Sequence, residues 1–305
     1  MMRSPAAVAT AVRRPNGEIV VTAKPFRGVA ARYKVLNIPI LRGGVNLIET
    51  LVLGMESLNF SADQAMAEDE RPKDQPSSWK QQAGMALTMI VAFALGIGVF
   101  FYLPLLLTDW TGQLLHTDWT GGKGGIAFNL VDGAFRIAFF VAYIWGISLW
   151  KDMRRVFEYH GAEHKSIYVF EAGLPLEPEE SKKFTTLHPR CGTSFLLLVM
   201  LTSIVVFSFL GRPDNLGERL LRIAFVPVIA GIAYELIKLS AKPACQRWMM
   251  PLILPGLWLQ KITTKEPSLE QVEVAMAAIN ACLAYEGDKA PSTARPVLTL
   301  SAASI

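Results

Sequence analysis

Two of the four histidines in this 305-residue chain stand four residues apart with a carboxylate between them, in Glu158-Tyr159-His160-Gly161-Ala162-Glu163-His164-Lys165. On a helix, residues four apart share a face, with Cβ atoms about 5–6 Å apart. That separation suits one divalent cation held about 2.0–2.1 Å from a nitrogen of each ring. Glu163 projects to the flank of the same face, where a general base for a metal-bound water would stand. The pattern is H-x-x-E-H, the reversed zincin arrangement, so the chemistry it implies is metal-assisted hydrolysis, with zinc as the expected ion. The plainer alternative is a helix surface carrying two ordinary histidines.

Further donors lie downstream. His188 and Cys191 belong to Thr185-Thr186-Leu187-His188-Pro189-Arg190-Cys191-Gly192, and Glu235 to Tyr234-Glu235-Leu236-Ile237-Lys238. Two metal constellations follow. An open site would use His160 and His164 with a third ligand, Glu235 first and His188 as the alternative, and would leave a position for water. A closed site of His160, His164, His188 and Cys191 would be structural. Glu235 falls near the end of an apolar segment, where an ionisable group is costly and points to function. Against that, it could snorkel or pair with Lys238, and Cys191 could be a small buried apolar residue. Asp132 and Arg136, four apart in another apolar segment, are explained by pairing with each other. His116 reads as a solvated side chain.

The elements that must position these groups belong to a membrane protein. The chain is 51% apolar and 18% charged, with positive mean hydropathy, which excludes a typical soluble domain. A net charge of +4 brings no nucleic-acid-binding tail. Three cysteines without a CxxC pair argue against a disulfide framework. No continuous apolar run opens the chain, so insertion is expected to rely on the first spanning helix rather than a cleaved signal.

Residues 1–42 are expected to hold a small β element. Runs at 7–12 and 18–22 flank Asn16-Gly17, a hairpin signal because both residues tolerate positive φ, and 34–41 could add an edge strand limited by Pro39. Residues 43–82 read as an amphipathic helix to about 67, lying on a membrane or against other helices, followed by a polar linker at 68–80. Residues 83–240 predict four transmembrane helices at 83–107, 126–150, 194–210 and 221–240, each long enough for a core of about 30 Å. The second is expected to run on without a break through His160 to Glu171. Residues 241–286 predict a proline-broken interfacial or re-entrant segment at 245–262. An amphipathic helix follows, capped by Ser268 and Gln271 with a stripe of Leu269, Val272, Met276, Ile279 and Leu283. Residues 287–305 read as a disordered tail. The fold class is therefore mainly α: a polytopic four-helix membrane protein with a small N-terminal β element and interfacial helices.

Orientation follows from Lys and Arg. Eleven lie in 1–82, seven in 151–193 and seven from 238 onward, against one and three in the other two loops. Four spans place the three rich segments on one side. The expectation is a multi-pass protein of the plasma (inner) membrane with both termini and the 151–193 loop in the cytoplasm.

Four stretches carry a family resemblance: His160-Gly161-Ala162-Glu163-His164-Lys165-Ser166-Ile167, Leu187-His188-Pro189-Arg190-Cys191-Gly192-Thr193-Ser194, Tyr234-Glu235-Leu236-Ile237-Lys238 and Pro255-Gly256-Leu257-Trp258-Leu259-Gln260. With them the chain resembles the YqhQ family, bacterial membrane proteins with plastid relatives, over most of 1–285. The resemblance implies a predicted metal-dependent enzyme in the membrane and names no substrate.

Three functions are weighed. The first is a metal-dependent hydrolase at the cytoplasmic face, with Glu163 as base. The second is a non-enzymatic assembly or regulatory factor, in which an ion or polar cluster pins the cytoplasmic loop and the amphipathic helices meet the bilayer or membrane-protein partners. A transporter is weaker, because the spans carry few polar groups and no internal repeat.

Overall fold

The computed structural model describes residues 1–66, 79–117, 119, 121–213, 215–240 and 243–287. The expected linker falls largely, and the expected tail almost wholly, outside the described residues. Among the described residues, four helical stretches are long and apolar enough to cross a membrane: Leu87–Leu114, Lys123–Ile147, Gly192–Leu210 and Leu216–Ser240. With a small N-terminal sheet, they make the chain a mainly α polytopic protein, as its composition requires. It divides into two compact units, residues 1–70, 146–198 and 227–305, and residues 71–145 and 199–226.

In the first unit, β1 (Met2–Arg3), β2 (Ala7–Arg13) and β3 (Ile19–Pro25) form an antiparallel sheet in the order β1-β2-β3. Ala7 faces Pro25 and Arg13 faces Ile19 across the hairpin. The hairpin is the one that Asn16-Gly17 signals, but only Gly17 takes positive φ (88°): its amide bonds the Arg14 carbonyl at 2.9 Å, and Asn16 accepts a 3.0 Å hydrogen bond from the Glu18 amide. The third strand is β1 and not 34–41. Pro39 has no N–H for a ladder, and after the short α1 (Val29–Arg32) the chain makes a 3₁₀ turn at Lys34–Asn37 and enters α2 (Leu41–Ala65).

Most of β2 is buried without alternation, because both sheet faces are covered. On one side Thr10 bonds Ser57 of α2 at 2.9 Å. On the other, Arg13 pairs at 2.6 Å with Glu273 of α10 (Leu269–Gly287). The start of α10 is the expected capping box, since the Gln271 amide donates to the Ser268 hydroxyl and the Ser268 amide to Gln271 Oε1. Its buried surface is wider than the expected stripe: Val274, Ala275, Ala278 and Cys282 join Val272, Met276 and Ile279. The extra burial comes from α6 (Lys151–Glu171), whose Ala162, Ile167 and Val169 share this core with Met2 and Ala9.

The continuous helix expected through 126–171 is interrupted. Helix α5 (Gly121–Ile147) ends in a turn, Trp150 is extended, and α6 starts afresh with Asp152 in its first turn, where a carboxylate favours a helix N-terminus. The segment expected to be broken by prolines is instead one helix, α9 (Pro243–Thr263), with Pro251 and Pro255 inside it.

The second unit contains α3 (Trp79–Ile97), a π-helical turn at Gly98–Tyr102 and α4 (Leu103–Leu114), together with most of α5 and parts of α7 (Gly192–Leu210) and α8 (Leu216–Ser240). Helix α4 runs into the stretch expected to be loop. Thr108 and Thr111 turn their hydroxyls onto the carbonyls of Pro104 and Thr108, which satisfies them within a helix. Asp132 and Arg136 pair at 2.7 Å as expected. Arg136 also donates to the Phe100 and Phe101 carbonyls in the π turn, at 3.2 and 3.4 Å. The π register leaves such carbonyls free to accept.

Candidate metal centre

The first unit gathers three elements around two imidazoles and a thiol. Helix α6 supplies His160 and His164 on one face, their ring centroids 4.5 Å apart. The segment between Pro178–Lys183, a 3₁₀ turn, and α7 supplies Thr186, His188 and Cys191. Helix α9 supplies its C-terminal carbonyl and Gln260. The nitrogen and sulfur atoms of His160, His164 and Cys191 that could bind an ion all lie within 4.8 Å of one another. His164 and Cys191 are each 4% exposed.

Each ring is set by a backbone oxygen. His160 Nδ1 lies 2.8 Å from the carbonyl of Thr263, the last residue of α9, where helix carbonyls lack intrahelical donors. His164 Nδ1 lies against the Thr186 carbonyl. A carbonyl can only accept, so both Nδ1 atoms carry the proton, and in the neutral ring each Nε2 is left with a lone pair that can accept a hydrogen bond or bind an ion. His160 Nε2 meets Cys191 Sγ at 3.1 Å. Backbone carbonyls that orient metal-binding imidazoles in this way are the usual outer support of a metal site.

Cys191 stands immediately before α7, with the Thr193 amide 3.4 Å and the Thr193 hydroxyl 3.1 Å from its sulfur. Burial alone would raise its pKa. The hydrogen bonds and positive charge of His160 and His164 outweigh burial and hold it well below the ordinary thiol value, and the helix N-terminus works in the same direction. His160 is the complement: burial opposes its protonation, but Cys191, Glu163 and the Thr263 carbonyl raise its pKa overall.

Three contacts hold the parts together. Gly161 lies against the chain after α9, where an added Cβ would stand 2.1 Å from the Lys265 carbonyl oxygen, and the Lys265 amide bonds the Phe157 carbonyl at 2.9 Å. Only a residue without a side chain allows this approach, which brings Thr263 to His160. Gln260 is fully buried. It accepts from the His188 amide at 2.7 Å and donates to the His188 carbonyl and the Ser194 hydroxyl, both at 2.8 Å, bracketing the Cys191 segment. Gly256 lets α9 close on Ser194, which an added Cβ would meet at 2.6 Å.

The other candidates point elsewhere. His188 is buried with its ring centroid 5.5 Å from that of His164. Its Nδ1 accepts from the Arg190 amide, and its Nε2, without a hydrogen-bond partner among the described residues, lies 4.0 Å from Glu171. Burial lowers the His188 pKa despite Glu171. The Glu163 carboxylate lies 2.6 Å from the Met1 amine. Glu235 is gripped by two nitrogens of Arg42, not by Lys238, at a point where α2 crosses α8 backbone to backbone through Gly43 and Gly231. Thus the structure brings His160, His164 and Cys191 together, leaves His188 beside them, and puts Glu163 and Glu235 on other partners. Sequence reasoning missed the supports Thr186, Thr263 and Gln260. Gly161, a glycine inside a helical pattern, was the one readable sign of a close approach.

The donor set fits a zinc-type ion. Tetrahedral bonds of about 2.0–2.1 Å to nitrogen and 2.3 Å to sulfur place donor atoms roughly 3.3–3.6 Å apart, which small side-chain movements reach from this arrangement. Residues 38–285 match the model of a family described as a protein of unknown function, DUF1385. The chain is also 32% identical over 284 residues to the protein from Bacillus subtilis (strain 168) described as "Uncharacterized protein YqhQ", covering 91% of this chain and 87% of that one. The chain belongs to the YqhQ family. No solved structure matches it. The segment shared with the DUF1385 model includes the three cluster residues of this YqhQ-family chain and the groups that hold them, Gly161, Thr186, Gln260 and Thr263.

Proposed function

We propose that this protein is an integral-membrane metalloprotein that binds a divalent cation, zinc first, on His160 Nε2, His164 Nε2 and Cys191 Sγ, and that it hydrolyses a substrate at the cytoplasmic face of the plasma membrane. The observation carrying this is the commitment of both Nδ1 atoms to backbone carbonyls while both Nε2 atoms face one thiol. Three protein ligands leave a fourth position for water, as in catalytic zinc sites. A bound ion would lower the pKa of that water and polarise a carbonyl or phosphoryl oxygen. Glu163, on the helix that carries both histidines, is the candidate to shuttle the proton. The cytoplasmic side follows from the excess of Lys and Arg in 1–82, 151–193 and the C-terminal segment.

The burial of His164 and Cys191 and the spare Nε2 of His188 beside them support a second reading, a closed structural site that pins the 184–193 segment. Elemental analysis of detergent-purified protein tests the ion. About one zinc per chain is expected, falling below about a tenth in a His160→Ala/His164→Ala double variant, and equal contents would overturn the proposal. Cobalt-substituted protein separates the two roles. An added anion such as azide shifts its visible bands if a position is open and leaves them unchanged if His188 closes it.

A further inference from the structure

The second unit contains a cavity of about 410 Å³ lined by residues at the end of α4 and in the segment after it, together with Arg212 beyond α7. None of them belongs to the histidine–cysteine cluster. Asp109 and Arg212 form an ion pair in its wall, Oδ1 to Nη2, at 3.0 Å, and the guanidinium of Arg212 lies 5.6 Å over the Phe128 ring. Both charged groups are partly exposed, so solvent or a ligand can reach them. Trp119 is buried edge-on to Phe128, packed so closely on α4 that a Cβ at Gly112 would stand 1.8 Å from its Nε1. That Nε1 is a buried donor with no hydrogen-bond partner among the described residues. His116 holds a left-handed conformation, φ 48°, in the turn closed by the Thr117 amide on the Gly112 carbonyl. Side chains other than glycine adopt that conformation at a cost of roughly 1–2 kcal/mol, and such strain concentrates at binding sites.

We infer that this cavity binds a small zwitterion bearing an ammonium and a phosphate, the chemistry of phosphoethanolamine. The wall offers one carboxylate and one guanidinium already paired. A ligand with a single charge would attract one of them and repel the other, whereas a neutral polyol would leave the pair intact and gain little from it. A ligand of both signs exchanges one partly exposed pair for two, ammonium on Asp109 and phosphate on Arg212, with no change in net charge. The phosphate also offers acceptors to Gln113 in the wall. The volume greatly exceeds the roughly 30 Å³ of one water in the liquid. The position fits a headgroup: Leu106, Trp110 and Leu114 are exposed on α4, the end of a candidate span, and tryptophan marks membrane interfaces.

Calorimetry on the detergent-purified full chain tests this. Glycerophosphoethanolamine represents the free source and dihexanoyl phosphatidylethanolamine the lipid source, with ethanolamine and glycerol phosphate as the single-charge halves. The zwitterions are expected to bind at least about tenfold more tightly than either half. A double variant, Asp109→Asn/Arg212→Gln, leaves neither charge unpaired and should keep the thermal midpoint while binding drops about tenfold or more. A short-chain lipid much tighter than its free headgroup assigns the membrane as source, and equal affinities assign the free compound. Either result supports the site. Absence of binding by both zwitterions, a preference for one of the halves, or undiminished binding by a folded double variant would overturn it.

Discussion

Cys191 and Cys282 are both buried, yet their surroundings drive their thiols in opposite directions. Cys282 sits in the apolar core between the sheet and α10, and burial pushes its pKa up to about 11. At pH 8 only about 0.1% of such a thiol is ionised, against about 20% of an ordinary one. The imidazoles of His160 and His164 and the start of α7 draw the Cys191 thiol the other way, well below its ordinary pKa, so its protection must come from enclosure or from a bound ion. Iodoacetamide at pH 8, read by peptide mass spectrometry, should therefore leave both unlabelled in the protein as purified. A strong chelator should raise labelling of Cys191 about tenfold or more while Cys282 stays silent. Equal labelling of Cys191 before and after chelation would contradict the metal proposal. The raised pKa of Cys282 also has a consequence for stability. The folded state favours the protonated thiol, so its contribution is complete below the ordinary thiol pKa and is lost as pH rises toward about 11. The thermal midpoint should fall across that window in the wild type and fall less in Cys282→Ala.

The cluster exists because α6, α9 and the Cys191 segment meet at two points that contribute no ligand. Gly161→Ala would put a methyl group into the Lys265 carbonyl. Backbone cannot move aside as the end of a side chain can, so the substitution is expected to cost about 1–3 kcal/mol and to draw Thr263 away from His160. Gln260→Ala removes a bracket on the His188 backbone and leaves a buried amide and carbonyl without partners, about 1–3 kcal/mol. Both variants should lower metal content more than an Ala substitution at exposed Lys182, measured on folded protein separated by size-exclusion chromatography. Metal content unchanged in both would show that the cluster does not depend on these supports. The difference between what was legible and what was not follows the same division. Asn16-Gly17, the Ser268–Gln271 box and the apolar spans act within a few residues and could be read directly. The bracket by Gln260 and the seizure of Glu235 by Arg42 depend on residues 72 and 193 positions away. His160 and His164 were legible as a pair because a helix alone aligns them. Cys191 was a candidate only, because its approach requires α9 to hold the chain from behind.

At the scale of the whole molecule, charge and hydropathy predict a topology that the local chemistry presupposes. Among the described residues four helices are long and apolar enough to span a membrane, and four crossings would return the chain to its starting side. The segments carrying eleven, seven and seven Lys and Arg residues then share one face, against one and three on the other. By the positive-inside rule that count predicts the His160–His164–Cys191 cluster on the cytoplasmic side, where thiols stay reduced and no disulfide competes with a metal for the sulfur. The same rule predicts the Lys- and Arg-poor loops that carry Thr117 and Arg212 on the non-cytoplasmic side. Reporter fusions check both placements at once. Alkaline phosphatase joined after Thr117 or Arg212 should be active and a fluorescent protein there dark, while fusions after Glu179 or Gly287 should show the reverse. Active phosphatase after Glu179 would put Cys191 in an oxidising compartment. A lone thiolate there would face oxidation rather than a steady supply of cytosolic zinc, so the metalloenzyme proposal fails if that fusion is active, whatever the geometry of the cluster.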